Sequence, residues 1–318
     1  MGRRISSHAI TIMLLSLLLA ACNQAKQEPG VRIAYPEIVA SLPMFIAQER
    51  GLFSRAGIEP TVARFNNSND MVSALVAQRL DVLPAVSLVP ILHLEAQFPG
   101  TVRLFSHSRM RSENAFDSII VKRGSSIHSL RDLQEKRMGV FPGTSAINML
   151  KAFLEKHGVN PAQVTFIQLT PPNQMSSLES GAIDALFSYE PVTTVALQGK
   201  SHKRLFGSVY ADLLSPCPIG ASVVSRSFER AHSRLASETI EVVDEGVRFM
   251  RNHPNEAKAI LPRFTPMTPD IARSVNIVDV TLSDEVDVQN IQRFINLLYE
   301  IGELSRRLDA RELTDLTR

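Results

Sequence analysis

Two short segments carry the residue types that small-molecule recognition needs. Gly143-Thr144-Ser145 joins a glycine, which lets a backbone approach a ligand closely, to two hydroxyls and the free amides of a helix start. The helix dipole favours negative charge there. Read for folding alone, the triplet is a helix cap. Tyr189-Glu190-Pro191 offers a flat stacking face, a hydroxyl, and a carboxylate that accepts from amines or pairs with a cation. Read for folding alone, it is a strand end followed by a proline-started helix, with Glu190 well placed for the dipole. Tyr35 and Glu37 form a similar pair near the start of the chain. Other chemistries find little support. The eight histidines make no metal-binding spacing with Cys or Glu. No phosphate loop, dinucleotide glycine fingerprint or nucleophile elbow is present. Cys217, between Pro216 and Pro218, is the one candidate nucleophile; without a nearby base it is simply a small loop residue.

Ligands of open parallel sheets bind beyond the carboxyl ends of the strands, beside helix starts. The chain supplies such elements in alternation. Val31 to Tyr35 reads as a strand broken by Pro36. Ser41-Leu42-Pro43 opens a helix, with Ser41 as its cap, and Gly51 stops it. Pro60 to Phe65 is a second strand, Asn66 to Asp70 a loop of capping residues, and Met71 to Gln78 a helix. Asp81 to Ser87 is a strand, Leu88 to Gln97 a helix, and Val102 to Phe105 a strand. Asp117 to Val121 is a strand before the polar break Lys122 to Ser126. A second set follows: helix Ser129 to Glu135, strand Met138 to Phe141, helix Ser145 to His157, strand Val164 to Gln168, helix Gln174 to Glu179, strand Ile183 to Phe187, helix Val192 to Gln198 and a strand near Leu205. Ile219 to Val224 is another strand, and the remainder is mostly helical, with apolar periods over Leu235 to Met250 and Ile291 to Leu304. This alternation predicts parallel sheets with helical crossovers. The strand ends and helix starts then collect Tyr35, Glu37, Ser41, Leu42, Asn67 and Ser87 in one half, and Gly143, Thr144, Ser145, Asn173, Tyr189 and Glu190 in the other.

The first 21 residues read as a secretory signal. Arg3 and Arg4 precede a short apolar run from Ala9 to Ala21, too short to span a bilayer. Leu19-Ala20-Ala21-Cys22 looks like the lipobox of bacterial lipoproteins, in which the cysteine carries lipid and becomes the first residue. Several acyl chains on Cys22 would anchor the protein to a membrane surface, with residues 22–30 as a polar tether. Cys217 is the only other cysteine, so an acylated Cys22 leaves no intrachain disulfide.

Composition narrows the class further. At roughly 150 residues per domain, 318 residues suggest two domains. Apolar residues are 44% and charged residues 21%, as in ordinary globular proteins. The net charge of +2 is carried by Arg3 and Arg4; the other 32 bases balance 32 acids, which leaves no excess for binding nucleic acid.

Together these segments resemble the substrate-binding proteins of ABC importers, in the nitrate/sulfonate/taurine family that also includes binders of thiamine-precursor pyrimidines. The resemblance rests on Pro43 through Phe53 with Gly57-Ile58, on Leu80-Asp81-Val82, on Gly139-Val140 with Gly143-Thr144-Ser145, on Gly181 through Ala185, and on Glu190-Pro191. It runs from about Val31 to Phe228. It implies an α/β, type II periplasmic-binding-protein fold: residues 31–120 and 219–318 in lobe 1, residues 121–218 in lobe 2, and crossing strands near Asp117 to Val121 and Ile219 to Val224. One small organic solute, sulfonate- or taurine-like or an aminopyrimidine, would lie between the lobes, and closure would present it to a permease in the inner membrane. Its contacts would be the residues gathered above. The resemblance implies a monomer, no cofactor, no metal and no chemistry on the ligand. Two alternatives use the same fold: a receptor for a membrane sensor, and a cysteine-dependent hydrolase, for which Cys217 is the candidate. The cysteine-rich motif of the related pyrimidine synthase is absent.

Overall fold

The computed structural model of the chain describes residues 30–315. The signal segment 1–21 and the lipidation candidate Cys22 lie outside them. The described strands form two mixed sheets with helices packed on them. The first sheet has the order β2 (Thr61–Phe65), β1 (Arg32–Pro36), β3 (Val82–Ser87), β10 (Cys217–Ser225), β4 (Val102–Met110), β11 (Asp279–Val280), adjacent members being hydrogen-bonded neighbours. The second has the order β7 (Thr165–Gln168), β6 (Arg137–Val140), β8 (Ala185–Tyr189), β5 (Asp117–Lys122), β9 (His202–Gly207).

The expected alternation produces the parallel parts. Strands β1, β2 and β3 pair in parallel, joined through the helices α1 (Leu42–Glu49) and α2 (Ser68–Val76). Strands β6, β7 and β8 do the same through α4 (Thr144–Lys156) and α5 (Pro171–Ser180). Helix α3 (Leu88–Gln97) follows β3, and α6 (Val192–Gln198) follows β8. Strand β3 is buried over most of its length, as its apolar run Val82-Leu83-Pro84-Ala85-Val86 requires.

The remaining pairs are antiparallel, which the strand–helix alternation alone did not foresee. Strand β10 pairs antiparallel with both β3 and β4, and β5 pairs antiparallel with both β8 and β9. The chain leaves the first sheet through β4 and returns through β10, so the two run in opposite senses. Strand β4 continues to Met110 instead of stopping near Phe105. Its second half is polar in sequence yet buried, because Ser106 Oγ donates to the Thr281 carbonyl (2.6 Å) and the His107 amide to Thr281 Oγ1 (3.0 Å). Each strand expected to cross between lobes lies inside one sheet: Asp117–Lys122 in the second, Cys217–Ser225 in the first. The crossings themselves fall in residues 111–116 and 208–216.

The C-terminal helices cover the first sheet. Helix α7 (Ser233–Asn252) packs on α1, and α8 (Pro254–Phe264) places Phe264 in a parallel stack on Phe45, 4.8 Å between centroids. Phe45 is fully buried, a contribution of about 1.5–3 kcal/mol. Helix α9 (Val288–Glu300) buries Ile291, Phe294, Ile295 and Leu298, and packs on β10. It ends at Glu300, short of the expected Leu304. Gly302 takes φ +73°, its amide donates to the Tyr299 carbonyl (3.1 Å), and the Glu303 amide donates to the Leu298 carbonyl (2.8 Å). This pair of bonds around a left-handed glycine is the standard helix stop of the Schellman type. No described helix is long and apolar enough to cross a membrane.

Candidate functional site

Three strand ends of the first lobe lie side by side. Pro36 pairs in register with Phe65 at the ends of β1 and β2. The Ser87 amide, at the end of β3, donates to Ser68 Oγ (3.0 Å) in the next turn. Ser41 Oγ donates to the Pro36 carbonyl (2.6 Å), so it closes the turn after β1 and makes no side-chain cap on α1. Leu42 is fully buried. Asn67 caps α2: its Oδ1 accepts from the Asp70 amide (2.9 Å) and its Nδ2 donates to Asp70 Oδ2 (2.7 Å). Ser87 stands at the start of α3 without a side-chain cap bond and is half-buried. The Tyr35 ring is buried edge-on against Phe45 (5.3 Å), and its hydroxyl donates to Gln48 Oε1 (2.8 Å). Glu37 accepts from Arg64 Nη1 (2.8 Å), an exposed ion pair.

The second lobe gathers its own set. Gly143 has φ +128° and ψ +149°, a conformation that favours glycine, and its amide donates to Gln168 Oε1 (2.9 Å). Thr144 is exposed at the first position of α4. That helix has neither a side-chain cap nor an acidic residue in its first turn. Asn173 lies exposed in the first turn of α5 and donates to Thr170 Oγ1 (3.2 Å). Tyr189 is half-buried, its hydroxyl shares a hydrogen bond with that of Tyr210 (2.6 Å), and its ring meets Phe141 edge-on (6.1 Å). Glu190 is buried, and Oε2 accepts from the Thr194 amide (3.1 Å) at the start of α6. Burial raises its pKa, opposed by hydrogen bonds from Thr194 and the Asn276 backbone.

Ser145 joins the lobes. Its Oγ donates to Glu303 Oε1 (2.6 Å), Asn148 Nδ2 donates to Glu303 Oε2 (2.6 Å), and His93 Nε2, on α3, lies 3.1 Å from Glu303 Oε1. Burial works to raise the Glu303 pKa, but the bonds from His93, Ser145 and Asn148 hold it below the ordinary glutamate value. Sequence reasoning missed Asn148, His93 and Glu303. Asn148 was within reach of it, since it stands three residues after Ser145 on one helix face.

Cys217 does not have the surroundings of a nucleophile. It is fully buried, and its thiol pKa is raised well above the usual value, first by burial and then by the charge of Asp117. A thiol held protonated and out of solvent does not attack a substrate. Among the described residues no three His, Cys, Asp or Glu side chains gather as a metal site.

A family model described as NMT1/THI5 like matches residues 39–257, more than two-thirds of the chain. The chain belongs to the NMT1/THI5-like family. A Bacillus subtilis (strain 168) protein named for binding aliphatic sulfonates is 23% identical over 97% of this chain and 94% of its own. The 4-amino-5-hydroxymethyl-2-methylpyrimidine phosphate synthase of Schizosaccharomyces pombe is 26% identical over 49% of this chain and 43% of its own. The crystal structure of the periplasmic aliphatic sulphonate binding protein SsuA from Escherichia coli superposes with a TM-score of 0.74 at 18% identity, over 90% of this chain and 98% of that one. The NMT1/THI5-like chain thus has the two-lobed periplasmic-binding-protein fold. The matched span takes in Ser41 through Glu190 but not Tyr35, Glu37 or Glu303.

Proposed function

We propose that this NMT1/THI5-like protein is the extracytoplasmic solute-binding component of an ABC importer, and that its solute is a small organic anion of the sulfonate class. The observation that carries the anion assignment is the start of α4. That helix brings no cap or acidic side chain of its own, and its Ser145 and Asn148 donors already hold an oxyanion, the carboxylate of Glu303. The two carboxylates that would oppose an anion are otherwise engaged, Glu37 by Arg64 and Glu190 by the start of α6. The sulfonate binders among the relatives and solved structures support the same class. The protein captures its solute between the lobes and delivers it unchanged to a membrane permease. It works on the periplasmic side as a monomer, tethered by lipid on Cys22. With crossings at residues 111–116 and 208–216, lobe 1 takes the chain before the first and after the second, and lobe 2 the residues between them, a small shift from the 31–120, 121–218 and 219–318 of the sequence.

The test is a thermal-shift screen of the Cys22→Ser protein against alkanesulfonates, taurine, nitrate and aminopyrimidines. A solute at one hundred times its dissociation constant adds about 2.7 kcal/mol. A shift with sulfonates is the expected result. A shift with aminopyrimidines alone would overturn the anion assignment and move recognition to the Phe141 and Tyr189 rings.

A further inference from the structure

A carboxylate of the first lobe reaches the helix start of the second. We propose that Glu303 is a positioning residue that holds the two lobes together before solute arrives, by accepting the Ser145 and Asn148 side chains of α4 from across the cleft. It rests on the clamp reading above. Helix α4 begins at Gly143, which has no side chain to cap it, and no acid stands in its first turn. The orphan amides and positive end of such a helix favour a nearby carboxylate. Glu303 supplies it from the other lobe. Both of its oxygens take side-chain donors of α4, the Ser145 hydroxyl on Oε1 and Asn148 Nδ2 on Oε2, each at 2.6 Å. Hydrogen bonds to a charged acceptor are roughly twice as strong as neutral ones.

The first lobe fixes where this carboxylate stands. The helix stop at Gly302 sets its backbone, through the Glu303 amide bond to the Leu298 carbonyl. His93, on α3 of the same lobe, approaches Oε1 and orients the group. Only 8% of Glu303 is exposed in this arrangement, so its bonds to Ser145 and Asn148 form out of bulk water, where charge-assisted hydrogen bonds are strongest. The solute-free protein is therefore biased toward the closed arrangement, and an anion that takes the Ser145 and Asn148 donors has to displace this carboxylate.

Hydrogen exchange of the full, solute-free chain, read by mass spectrometry, tests this. Glu303→Ala is expected to speed exchange of peptides covering Thr144–Lys156 about tenfold, while β1 and β3 keep their protection. Glu303→Gln keeps the length and one acceptor, and is expected to give a smaller rise in the same peptides. Unchanged exchange in α4, or a rise confined to residues 298–308, overturns the proposal. If Glu303→Ala exchanges uniformly because it is unfolded, Glu303→Gln decides by the same criterion. No solute enters the measurement, so its failure is distinct from a failure of the sulfonate assignment.

Discussion

Asp117 stands at the first position of β5, just past the outward crossing, with its side chain buried among Tyr189, Tyr210 and Cys217. Its Oδ2 accepts from the Tyr210 amide (3.2 Å), while Oδ1 is buried without a partner among the described residues. Burial pushes its carboxyl up to about 7 from 3.8, against the pull of backbone bonds from Tyr210 and Val209. The folded chain therefore holds a proton that the unfolded chain has released between about pH 4 and 7. Stability falls as pH rises through that window and is level above it. A rise of that size corresponds to a loss on the order of 4 kcal/mol. Asp117→Asn has nothing to ionise, so its stability relative to wild type should rise by up to that amount between pH 4 and 8. Urea denaturation at intervals across the range measures it. Glu95, Glu190 and Asp244 are also raised by burial, but they slope both proteins alike and cancel in the difference. Parallel profiles would show that Asp117 ionises normally.

The end of α9 shows how one backbone position can set a distant side chain. Gly302 is left-handed, and the next residue is the carboxylate that reaches α4. An alanine there costs roughly 1–2 kcal/mol for the left-handed conformation, so Gly302→Ala should lower the urea midpoint by that equivalent. It should also raise exchange at Thr144–Lys156, as the Glu303 variants do; a fall in stability without that rise would separate the helix stop from the interlobe contact. Elements with strong periodicity and clear punctuation were legible in the sequence. Leu88–Gln97 and Val192–Gln198 fall where the pattern puts them, because Ser87, Pro99 and Pro191 bound apolar runs. The first-lobe edge was legible for the same reason: Pro36, Asn67 and Ser87 punctuate β1, β2 and β3. What escaped reading depends on contacts far apart in the chain. Ser106 and His107 look like a loop until Thr281, 174 residues past His107, bonds the Ser106 hydroxyl and the His107 amide inside β4. The return of β10 to the first lobe was expected, but its antiparallel place between β3 and β4 is a long-range pairing that no local pattern records. Tyr35 carries the residue type of a binding face, but Phe45 and Gln48 determine where it points. Glu303 was read as the tail of a helix, since the apolar period of α9 runs on to Leu304 and only Gly302 interrupts it.

At the scale of the molecule, two sheets do not make two independent folding units. One continuous set of buried apolar side chains includes Val82, Leu104 and Phe105 of the first sheet and Ile119, Met138 and Phe187 of the second. Met110, Phe116, Tyr210 and Cys217, beside the crossings, belong to the same set. The chain passes between the sheets twice, so the first lobe is built from two segments and completes its core only after the second lobe has been traversed. Strand β10, from beyond the second lobe, pairs with both β3 and β4 in the middle of the first sheet. Loss of the first sheet therefore removes the return crossing, and loss of the second exposes the apolar residues at both crossings. Heat should unfold the protein in one cooperative transition, with far-ultraviolet dichroism and tyrosine fluorescence falling together and the calorimetric enthalpy matching the van't Hoff value. Two separated transitions would mean that the crossings couple the lobes only weakly. A sulfonate that touches both lobes should move the single transition upward as a whole. A solute that touches one lobe alone would, in a weakly coupled protein, shift one transition and leave the other in place. The shape of the melt with solute thus tests bridging by the ligand, separately from the identity of the ligand.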